Sequence, residues 1–397
     1  MRSFPQIYLL IFIVFYILTC LGAYSSLKIL FTSKLFRMLF WAYSIFLILI
    51  FVFIYIYPNQ PQNSKNYIPY FYFNTFLFID LIIKLVLSLL FFFGIFLTKK
   101  TIVSYTGVIF SIGLALGMFY GLLVGRNELK TTRNVLAFKT LPVGFDGFKI
   151  VHISDIHLGS FQNSNKLLSK AVNTINKVEP DLLLFTGDLV NNFSYETEGW
   201  TSLFQKLNVH VVGFSILGNH DYGDYTRWEN ESKKEENLEK IVAANSKFGF
   251  TLLRNESSVI RKGQDSIFLV GVENWGHPPF PQYADLEKAT DKIPVHAFKI
   301  LMTHDPAHWE KVINEKKDFQ LTFSGHTHGL QWGIKLAGIP FSFAYFTRKN
   351  WGGLYNKGED FLNVNTGLGT VGIPWRIDMS AEITVLTLKR SKIDREY

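Results

Sequence analysis

Cysteine is almost absent from this 397-residue sequence. Cys20 is its single cysteine, so no disulfide can form within the chain, and the redox compartment of the protein does not follow from the sequence. Cys20 lies inside an apolar segment and directly follows Thr19, which fits a lipoprotein cleavage site poorly. Lipidation of Cys20 is therefore not expected.

The sequence also lacks a cluster of basic residues interleaved with aromatic ones, which a nucleic-acid-binding surface would need. Its 40 Lys and Arg residues outnumber its 32 Asp and Glu residues, giving a net charge of +8. Much of this excess flanks long apolar segments. We therefore expect a partner bilayer and no nucleic acid.

The composition changes abruptly near residue 126. Before this point, four segments are long and apolar enough to cross a bilayer, which takes about 20 residues: 4–27, 38–57, 70–97 and 101–125. After it, charged residues, Gly and Asn occur at the density of a soluble α/β protein. The sequence thus predicts a four-helix transmembrane region over 1–126 and a soluble domain over 127–397.

Basic residues do not fix the orientation of these helices, because the loops on the two sides of the bilayer carry equal numbers of them. Within the third segment, Asp80 and Lys84 lie one helical turn apart and can neutralise each other, so we expect a structural ion pair facing the bundle interior. In the fourth segment glycine recurs every four residues, at Gly113, Gly117, Gly121 and Gly125. This smooth stripe predicts close helix packing, within the bundle or in a homo-oligomer.

In the soluble part, five apolar runs of strand length each end in polar residues. The runs are 149–154, 181–185, 211–217, 298–302 and 319–323. The polar residues that follow them are, in order, Asp155 and His157, then Asp188, then Asn219, His220 and Asp221, then His304, then His326 and His328. Open α/β sheets build their sites at such strand ends.

Carboxylate and imidazole ligands without thiolate favour Mn²⁺, Fe or Zn²⁺ over soft metals. One carboxylate between two groups of ligands can bridge two ions about 3.5–4 Å apart, and such a pair binds a phosphoryl group and activates a water molecule. Glycines stand directly before Asp188, Asn219 and His326. We expect them to let the backbone turn sharply as it leaves each strand.

In chain order these elements read Asp-x-His, Gly-Asp, Gly-Asn-His-Asp, His and Gly-His-Thr-His over residues 149–328, and this order resembles the calcineurin-like metallophosphoesterases. The resemblance implies an αββα sandwich of two sheets and a centre of two divalent ions. It implies one metal site formed by Asp155, His157, Asp188 and His328. It implies a second formed by Asp188, Asn219, His304 and His326, with Asp188 as the bridge. His220 would face the substrate, stabilising phosphoryl oxygens or protonating the leaving group.

The similarity extends to 271–273 and 365–370 and is strongest to a bacterial membrane-anchored branch that includes UDP-2,3-diacylglucosamine pyrophosphatase-type enzymes of lipid A synthesis. It implies an inner-membrane hydrolase that cleaves a phosphodiester or pyrophosphate bond in a phospholipid or lipid-linked substrate. Two alternatives stay open: an envelope phosphodiesterase or phosphatase for soluble substrates, and a non-catalytic membrane protein that binds a ligand. A protein phosphatase is disfavoured because no Arg-containing motif follows Gly187-Asp188.

Two further segments have alternative interpretations. Residues 338–346 are rich in aromatics and precede Arg348, Lys349 and Trp351, as in interfacial membrane anchors. A buried hairpin is the alternative. The insertion-like stretch 222–249 contains a charged helix over 229–244, which is expected to have a solvated face. A substrate cap formed by this stretch is the alternative.

Overall fold

The structure, a computed structural model, describes residues 6–56, 68–161, 164–208, 212–276, 280–314, 318–336 and 339–391. The chain divides into two compact units. One comprises residues 1–123 and 372–375, and the other comprises 124–371 and 376–397.

The first unit contains four long helices: α1 (Gln6–Leu27), α2 (Lys34–Ile56), α3 (Ile68–Phe96) and α4 (Lys100–Leu123). All four are long and apolar enough to cross a membrane, which confirms the four predicted segments. Large apolar side chains such as Phe53, Phe96 and Ile109 are exposed on these helices. Exposing so much apolar surface to water would be unfavourable, whereas such a surface suits the hydrocarbon core of a bilayer.

A buried polar cluster lies inside the helix bundle. The Lys84 ammonium lies 2.8 Å from Asp80 Oδ2 and 2.9 Å from both the Tyr16 hydroxyl and Ser44 Oγ. Tyr16 in turn donates to Asp80 Oδ2 at 2.8 Å. Each of the three ammonium donors therefore has an acceptor, and the two charges cancel. The predicted Asp80–Lys84 pair is confirmed.

The glycine stripe of α4 is only partly covered. A Cβ placed on Gly113 or Gly117 would meet no atom within 4 Å in the part of the chain that the structure describes. Gly121 is buried, but Gly125 lies beyond the helix in a 3₁₀ turn. Among the described residues, no other helix packs against Gly113 and Gly117, so the alternative of packing within the bundle is not met there. Packing in a homo-oligomer stays a prediction.

The second unit is built on strands that are short and mostly buried. In chain order they are β1 (Leu129–Phe138), β2 (Lys149–Ile153), β3 (Leu182–Phe185), β4 (Val212–Ser215), β5 (Phe250–Leu252), β6 (Glu256–Lys262), β7 (Asp265–Gly271), β8 (Lys299–Met302), β9 (Leu321–Ser324), β10 (Gly333–Leu336), β11 (Ile339–Ser342), β12 (Gly353–Lys357), β13 (Asp360–Val364) and β14 (Ala381–Arg390). Its helices are α5 (Lys166–Val178), α6 (Thr201–Phe204), α7 (Glu231–Lys247), α8 (Leu286–Thr290) and α9 (Ala307–Asn314).

These strands form two six-stranded sheets and a small hairpin. The first sheet has the order β1-β14-β2-β3-β4-β5, and the second has the order β12-β13-β9-β8-β7-β6. Strands β2 to β5 run parallel to one another, as do β7, β8, β9 and β13. The hairpin pairs β10 with β11.

Alternating side chains place the two sheets face to face between helices. In β2, Ile150 packs into the core shared by the two sheets, whereas Val151 packs into the core under α5 and α7. In β8, Ile300 likewise faces the shared core, and Leu301 faces the outer core beside α8 and α9. Strands buried on both faces explain the continuous apolar runs. The predicted αββα sandwich is confirmed.

The charged helix predicted at 229–244 is α7. Its Ile241 and Ala244 belong to the outer core of the first sheet, while most of its charged residues lie in solvent. The helix therefore has the solvated face that was expected, and it packs as part of the outer layer. The alternative that residues 222–249 form a substrate cap stays a prediction.

Candidate metal centre

The predicted site residues all follow carboxyl ends of central strands. Asp155 and His157 follow β2, Asp188 follows β3, Asn219 and His220 follow β4, His304 follows β8, and His326 and His328 follow β9. Strands β2, β3 and β4 are parallel neighbours in one sheet, and β8 and β9 are parallel neighbours in the other. Their polar ends therefore meet at one edge of the sandwich.

A first group of side chains surrounds His157. The Nε2 atom of His157 lies 3.1 Å from His328 Nε2 and 3.5 Å from Asp188 Oδ2. His328 Nε2 also lies 3.2 Å from Asp155 Oδ1. Asp155, His157 and His328 are buried and have ligand atoms close enough together to hold one ion. Two imidazole nitrogens and two carboxylate oxygens thus converge on one point.

A second group surrounds Asn219. Its Oδ1 atom lies 2.9 Å from His304 Nε2 and 2.8 Å from His326 Nδ1. His304 Nε2 is also 3.2 Å from Asp188 Oδ2. The same Asp188 oxygen therefore lies beside His157 in the first group and beside His304 in the second. This is the position that a bridging carboxylate must have.

The backbone is strained at five of these residues. Positive φ angles occur at Asp155 (48°), His157 (46°), Asp188 (60°), His326 (71°) and His328 (50°). A residue with a Cβ loses about 1–2 kcal/mol in this left-handed region. Strain of this kind persists where the surrounding fold imposes it, and it concentrates at functional sites. Here it aims side chains from successive loops at one centre.

The glycines before the ligands have two different roles. Only Gly187, before Asp188, has a positive φ, of 92°. A Cβ on Gly218 would come within 2.2 Å of Asp188 Oδ1, and one on Gly325 would come within 2.2 Å of Asp155 Oδ2. The expectation of a sharp turn thus holds for Gly187, whereas Gly218 and Gly325 are required because a carboxylate passes directly over them.

Backbone carbonyls orient the histidine rings for cation binding. His157 Nδ1 lies 3.1 Å from the Val190 carbonyl, and His304 Nδ1 lies 2.7 Å from the Thr186 carbonyl. Protons on these nitrogens leave both Nε2 lone pairs directed at the centre, which is the usual arrangement of metal-bound histidine. His328 Nδ1 is buried without a hydrogen-bond partner among the residues described. The histidine nitrogens and carboxylate oxygens at this centre cannot all be satisfied by hydrogen bonds to one another. They therefore fit a divalent cation.

The charges of the centre are strongly coupled. Burial alone would raise the pKa of Asp188, but His304 and His220 lower this pKa well below its usual range. Burial opposes a charge on His304, yet Asp188 and Asp155 raise the pKa of His304 to about 10. A proton on His304 thus occupies the position between Asp188 and Asn219. Cation binding there must displace it, so affinity for metal should increase with pH.

His220 lies beside the centre and is held by the backbone. Its Nδ1 lies 2.7 Å from the Asn191 carbonyl, and its backbone N–H donates to Asp188 Oδ1 at 2.8 Å. The ring of Tyr225 stacks on His220 with a centroid distance of 4.4 Å. Asn219 Nδ2 donates to the Tyr225 hydroxyl at 2.7 Å. Tyr225, which the sequence did not single out, therefore orients both members of the Asn219-His220 pair.

Three buried residues to which the sequence assigned no role support the loops of the site. Asp221 accepts backbone N–H groups from Gly218, Asp188 and Leu189 at 2.8–3.0 Å. Glu196 accepts those of Asn191, Asn192, Phe193 and Gly159. Arg376 is fully buried and donates to the carbonyls of Thr366, Gly367, Gly369 and Met379. Of these three residues, only Asp221 belongs to a motif that is recognisable in the sequence, as the last residue of the Gly-Asn-His-Asp run.

Comparison with known proteins agrees with this geometry. Residues 148–330 match the calcineurin-like phosphoesterase family. The chain is 32% identical to an uncharacterized metallophosphoesterase of Bacillus subtilis, over 69% of this chain and 90% of that protein. It is 27% identical to a transmembrane protein with metallophosphoesterase domain of Danio rerio, over 68% of this chain and 60% of that protein. It is 28% identical to a UDP-2,3-diacylglucosamine pyrophosphatase of Chlamydia trachomatis, over 56% and 78%.

The family resemblance noted from the motifs is confirmed by these relatives, and so is the fold that it implied. Family members use a centre of two divalent metal ions, and the clustered histidines and aspartates of this chain match that chemistry. With its four helices long and apolar enough to cross a membrane, the chain is a membrane-associated hydrolase that belongs to the calcineurin-like metallophosphoesterase family.

Proposed function

We propose that the seven predicted ligands hold the two ions in two sites that share Asp188. The first site uses Asp155, His157, Asp188 and His328, and the second uses Asp188, Asn219, His304 and His326. The observation that carries the proposal is the single Asp188 oxygen that lies 3.5 Å from His157 Nε2 and 3.2 Å from His304 Nε2. Mn²⁺, Fe or Zn²⁺ suits this donor set.

The proposed reaction is hydrolysis of a phosphodiester or pyrophosphate bond. The ions, when bound, neutralise phosphoryl charge and lower the pKa of the attacking water. His220 in its protonated form contributes a positioned donor: Nδ1 donates to the Asn191 carbonyl, and the Nε2–H of the imidazolium is left for a phosphoryl oxygen or the leaving group. Tyr225 limits rotation of the His220 ring by stacking on it.

The proposed substrate is lipid-linked, with UDP-2,3-diacylglucosamine as an example. Support comes from the membrane-spanning helices and from the relative named for that pyrophosphatase. Further support comes from an aromatic knuckle, which we define as Phe343, Tyr345 and Phe346. Their side chains are 49%, 64% and 72% exposed, although the ring of Phe341 contacts all three. Aromatics so exposed on a water-soluble surface mark a contact with lipid or another apolar partner.

The physical advantage of an apolar contact is large. Moving one acyl chain fully into water costs about 0.8 kcal/mol per CH₂, or roughly 10 kcal/mol for a long chain. The knuckle favours the anchor interpretation of this segment over the buried hairpin, although residues 337–338 lie outside the described part of the chain. A general envelope phosphodiesterase acting on soluble substrates is the competing candidate, and it would make no use of these exposed rings.

The experiment compares kcat/KM for a diacylated nucleotide-sugar pyrophosphate and its deacylated analogue in mixed micelles. Wild type is compared with Phe343→Ser/Phe346→Ser and with a control, Val295→Ser, which removes an apolar residue elsewhere that is 77% exposed. We expect the knuckle variant to lose efficiency on the acylated substrate alone. Equal efficiency on both substrates, unchanged in the knuckle variant, would reject the lipid-linked substrate.

We also propose two domains, a transmembrane region over 1–126 and a metallophosphoesterase domain over 127–397, in a bacterial inner membrane. The boundary is supported by β1, which pairs with β14 along its whole length from Leu129 to Phe138 and so belongs to the catalytic unit. A homo-oligomer through the α4 face at Gly113 and Gly117 is a further part of this proposal.

A further inference from the structure

A cavity of about 500 Å³ lies where the chain after the knuckle meets the beginning of α9. Pro306, Ala307 and Glu310 form one wall, and residues 347–350 form the other. Its volume falls within the range of small-molecule sites. None of its lining residues belongs to the proposed metal ligands, so the site described above does not account for it.

Arg348 supplies the charge of this cavity. Its Nη1 lies 3.7 Å from Asp305 Oδ1, which is too long for a hydrogen bond, and Asp305 Oδ1 instead accepts the Ala307 backbone N–H at 2.9 Å. Asp305 thus attracts the Arg348 guanidinium without accepting a hydrogen bond from Arg348 Nη1. The Arg348 side chain is 36% exposed. A planar guanidinium held in this way can bind a phosphate through two parallel N–H bonds.

Arg348 also lies close to the proposed metal centre. Asp305 directly follows His304, and its Oδ2 lies 3.9 Å from His326 Nε2. The backbone N–H of Arg348 donates to the Ala344 carbonyl at 2.7 Å, inside the knuckle turn. Arg348 therefore lies between the metal-binding histidines and the aromatic segment.

Lys349, the next residue in the chain, also carries a positive charge, but its side chain is exposed to solvent and is paired with Glu310. Lys349 Nζ lies 3.2 Å from Glu310 Oε1, and the Lys349 side chain is 82% exposed. Asn350 Nδ2 also donates to Glu310 at 3.3 Å. An exposed ion pair of this kind contributes little to binding, because water screens both charges. Lys349 thus provides a control of equal charge at the adjacent position.

We propose that this cavity binds the second phosphate of a pyrophosphate diester, held by Arg348, while the first phosphate is hydrolysed at the metal centre; this rests on the proposed function. The oxygen of the attacking water forms a bond to the first phosphorus as the bond from that phosphorus to the bridging oxygen breaks. The bridging oxygen leaves with the second phosphate, whose added negative charge Arg348 neutralises, and the proton of the water passes to solvent. Arg348 is then a specificity-determining residue that favours pyrophosphates over simple diesters.

The test uses the full chain in detergent with Mn²⁺ and measures competitive inhibition of bis(4-nitrophenyl) phosphate hydrolysis. Methylenediphosphonate, a non-hydrolysable two-phosphorus probe, is compared with methylphosphonate at constant free Mn²⁺. The readout is the ratio of the two inhibition constants, which reports preference for a second anionic group. Lipid does not enter this assay, so its result is independent of whether the substrate is lipid-linked.

We expect Arg348→Gln to reduce the preference for the diphosphonate about 10- to 100-fold, the effect of losing charge-assisted hydrogen bonds. Arg348→Lys should recover only part of it, because an ammonium lacks the two-pronged geometry. Lys349→Gln should keep the wild-type ratio. An unchanged ratio in Arg348→Gln would overturn the proposal. So would equal weakening of both inhibitors together with loss of bound Mn²⁺, since Arg348 would then only support the centre.

Discussion

The two units of the chain each bury a set of charged residues, and the charges of the two sets are compensated in different ways. In the helix bundle, the Lys84 ammonium is surrounded by Asp80, Tyr16 and Ser44, all within 2.9 Å. In the catalytic unit, Asp155, Asp188 and four histidines converge with no lysine or arginine among them. The first set contains a permanent cation, whereas the positive charge of the second set is a proton on His304 that a metal ion can displace.

This difference separates a structural cluster from a functional one. A buried ion pair with every donor matched needs no ligand, and it holds helices together as long as both partners remain. Carboxylate oxygens and imidazole lone pairs that face each other repel one another until a proton or metal ion lies between them. The backbone shows the same contrast, because positive φ angles occur at five of the proposed ligands and at neither Asp80 nor Lys84.

The strongest test of this contrast makes the same chemical change in both clusters. Asp188→Asn should remove at least one of two bound ions and lower kcat by about 10³-fold or more, because both groups of ligands share this charge. Asp80→Asn should keep the wild-type metal content and activity while lowering the thermal unfolding temperature. Metal analysis and steady-state kinetics on detergent-purified protein check both. Two ions and a near-normal rate in Asp188→Asn would refute the bridging assignment.

A second test separates metal binding from chemistry within the catalytic unit. His220→Ala should lower kcat by about 10²–10⁴-fold, the usual contribution of a positioned acid or donor. Its metal content should stay at the wild-type level, because Asn219 already supplies that loop's ligand. Exposed His296→Ala serves as the control. Loss of metal in His220→Ala would instead make His220 a ligand, which its position near His157 and Asp188 also permits.

A third test breaks the self-contained cluster of the bundle. Lys84→Met leaves Asp80 buried without its cation and should destabilise the bundle by about 3–5 kcal/mol. The double variant Asp80→Leu/Lys84→Met should recover most of this loss, since an apolar pair needs no partner. Thermal unfolding in one detergent measures both. A double variant as unstable as the single one would show that the pair organises the helices in some way beyond charge balance.

The smallest expected effect concerns Glu196, which supports the loop that carries the Asn191 carbonyl. Burial raises the pKa of Glu196 to about 7, even though four backbone N–H groups oppose this shift. The folded state then binds the proton more tightly than the unfolded state, whose pKa is about 4.5. Stability is therefore lost as pH rises from about 4.5 to 7, by roughly 3 kcal/mol in all.

Glu196→Gln removes this pH dependence and also disturbs the N–H contacts. In chelator-treated protein, the unfolding temperature of wild type should exceed that of the variant most at pH 5, with the gap narrowing by pH 8. A gap that is constant, or that widens with pH, would mean that the N–H groups keep Glu196 ionised throughout.

Much of the candidate site could be predicted because each proposed ligand follows a strand that is recognisable in the sequence. Apolar runs of four or five residues ending in Asp, Asn or His already indicate a sheet edge, whatever the order of the strands. The supporting residues could not be found in this way. Glu196 accepts the backbone N–H of Gly159, and Arg376 donates to the backbone carbonyl of Thr366, so both contact other loops. Such backbone atoms carry no sequence signal. Tyr225 and Arg348 are ordinary loop residues until the fold places them beside His220 and Asp305.

The sequence by itself determined the division into an apolar third and a soluble remainder, the strands, and the ligand types, because hydrophobic length and period and the chemistry of side chains are local properties. Only the tertiary structure decided that one oxygen of Asp188 lies between His157 and His304, that Gly218 and Gly325 must lack a Cβ, and that Gly113 and Gly117 stay uncovered in the bundle. These facts depend on distances between segments remote in the chain. Packing of both sheets sets those distances, and no local pattern encodes them.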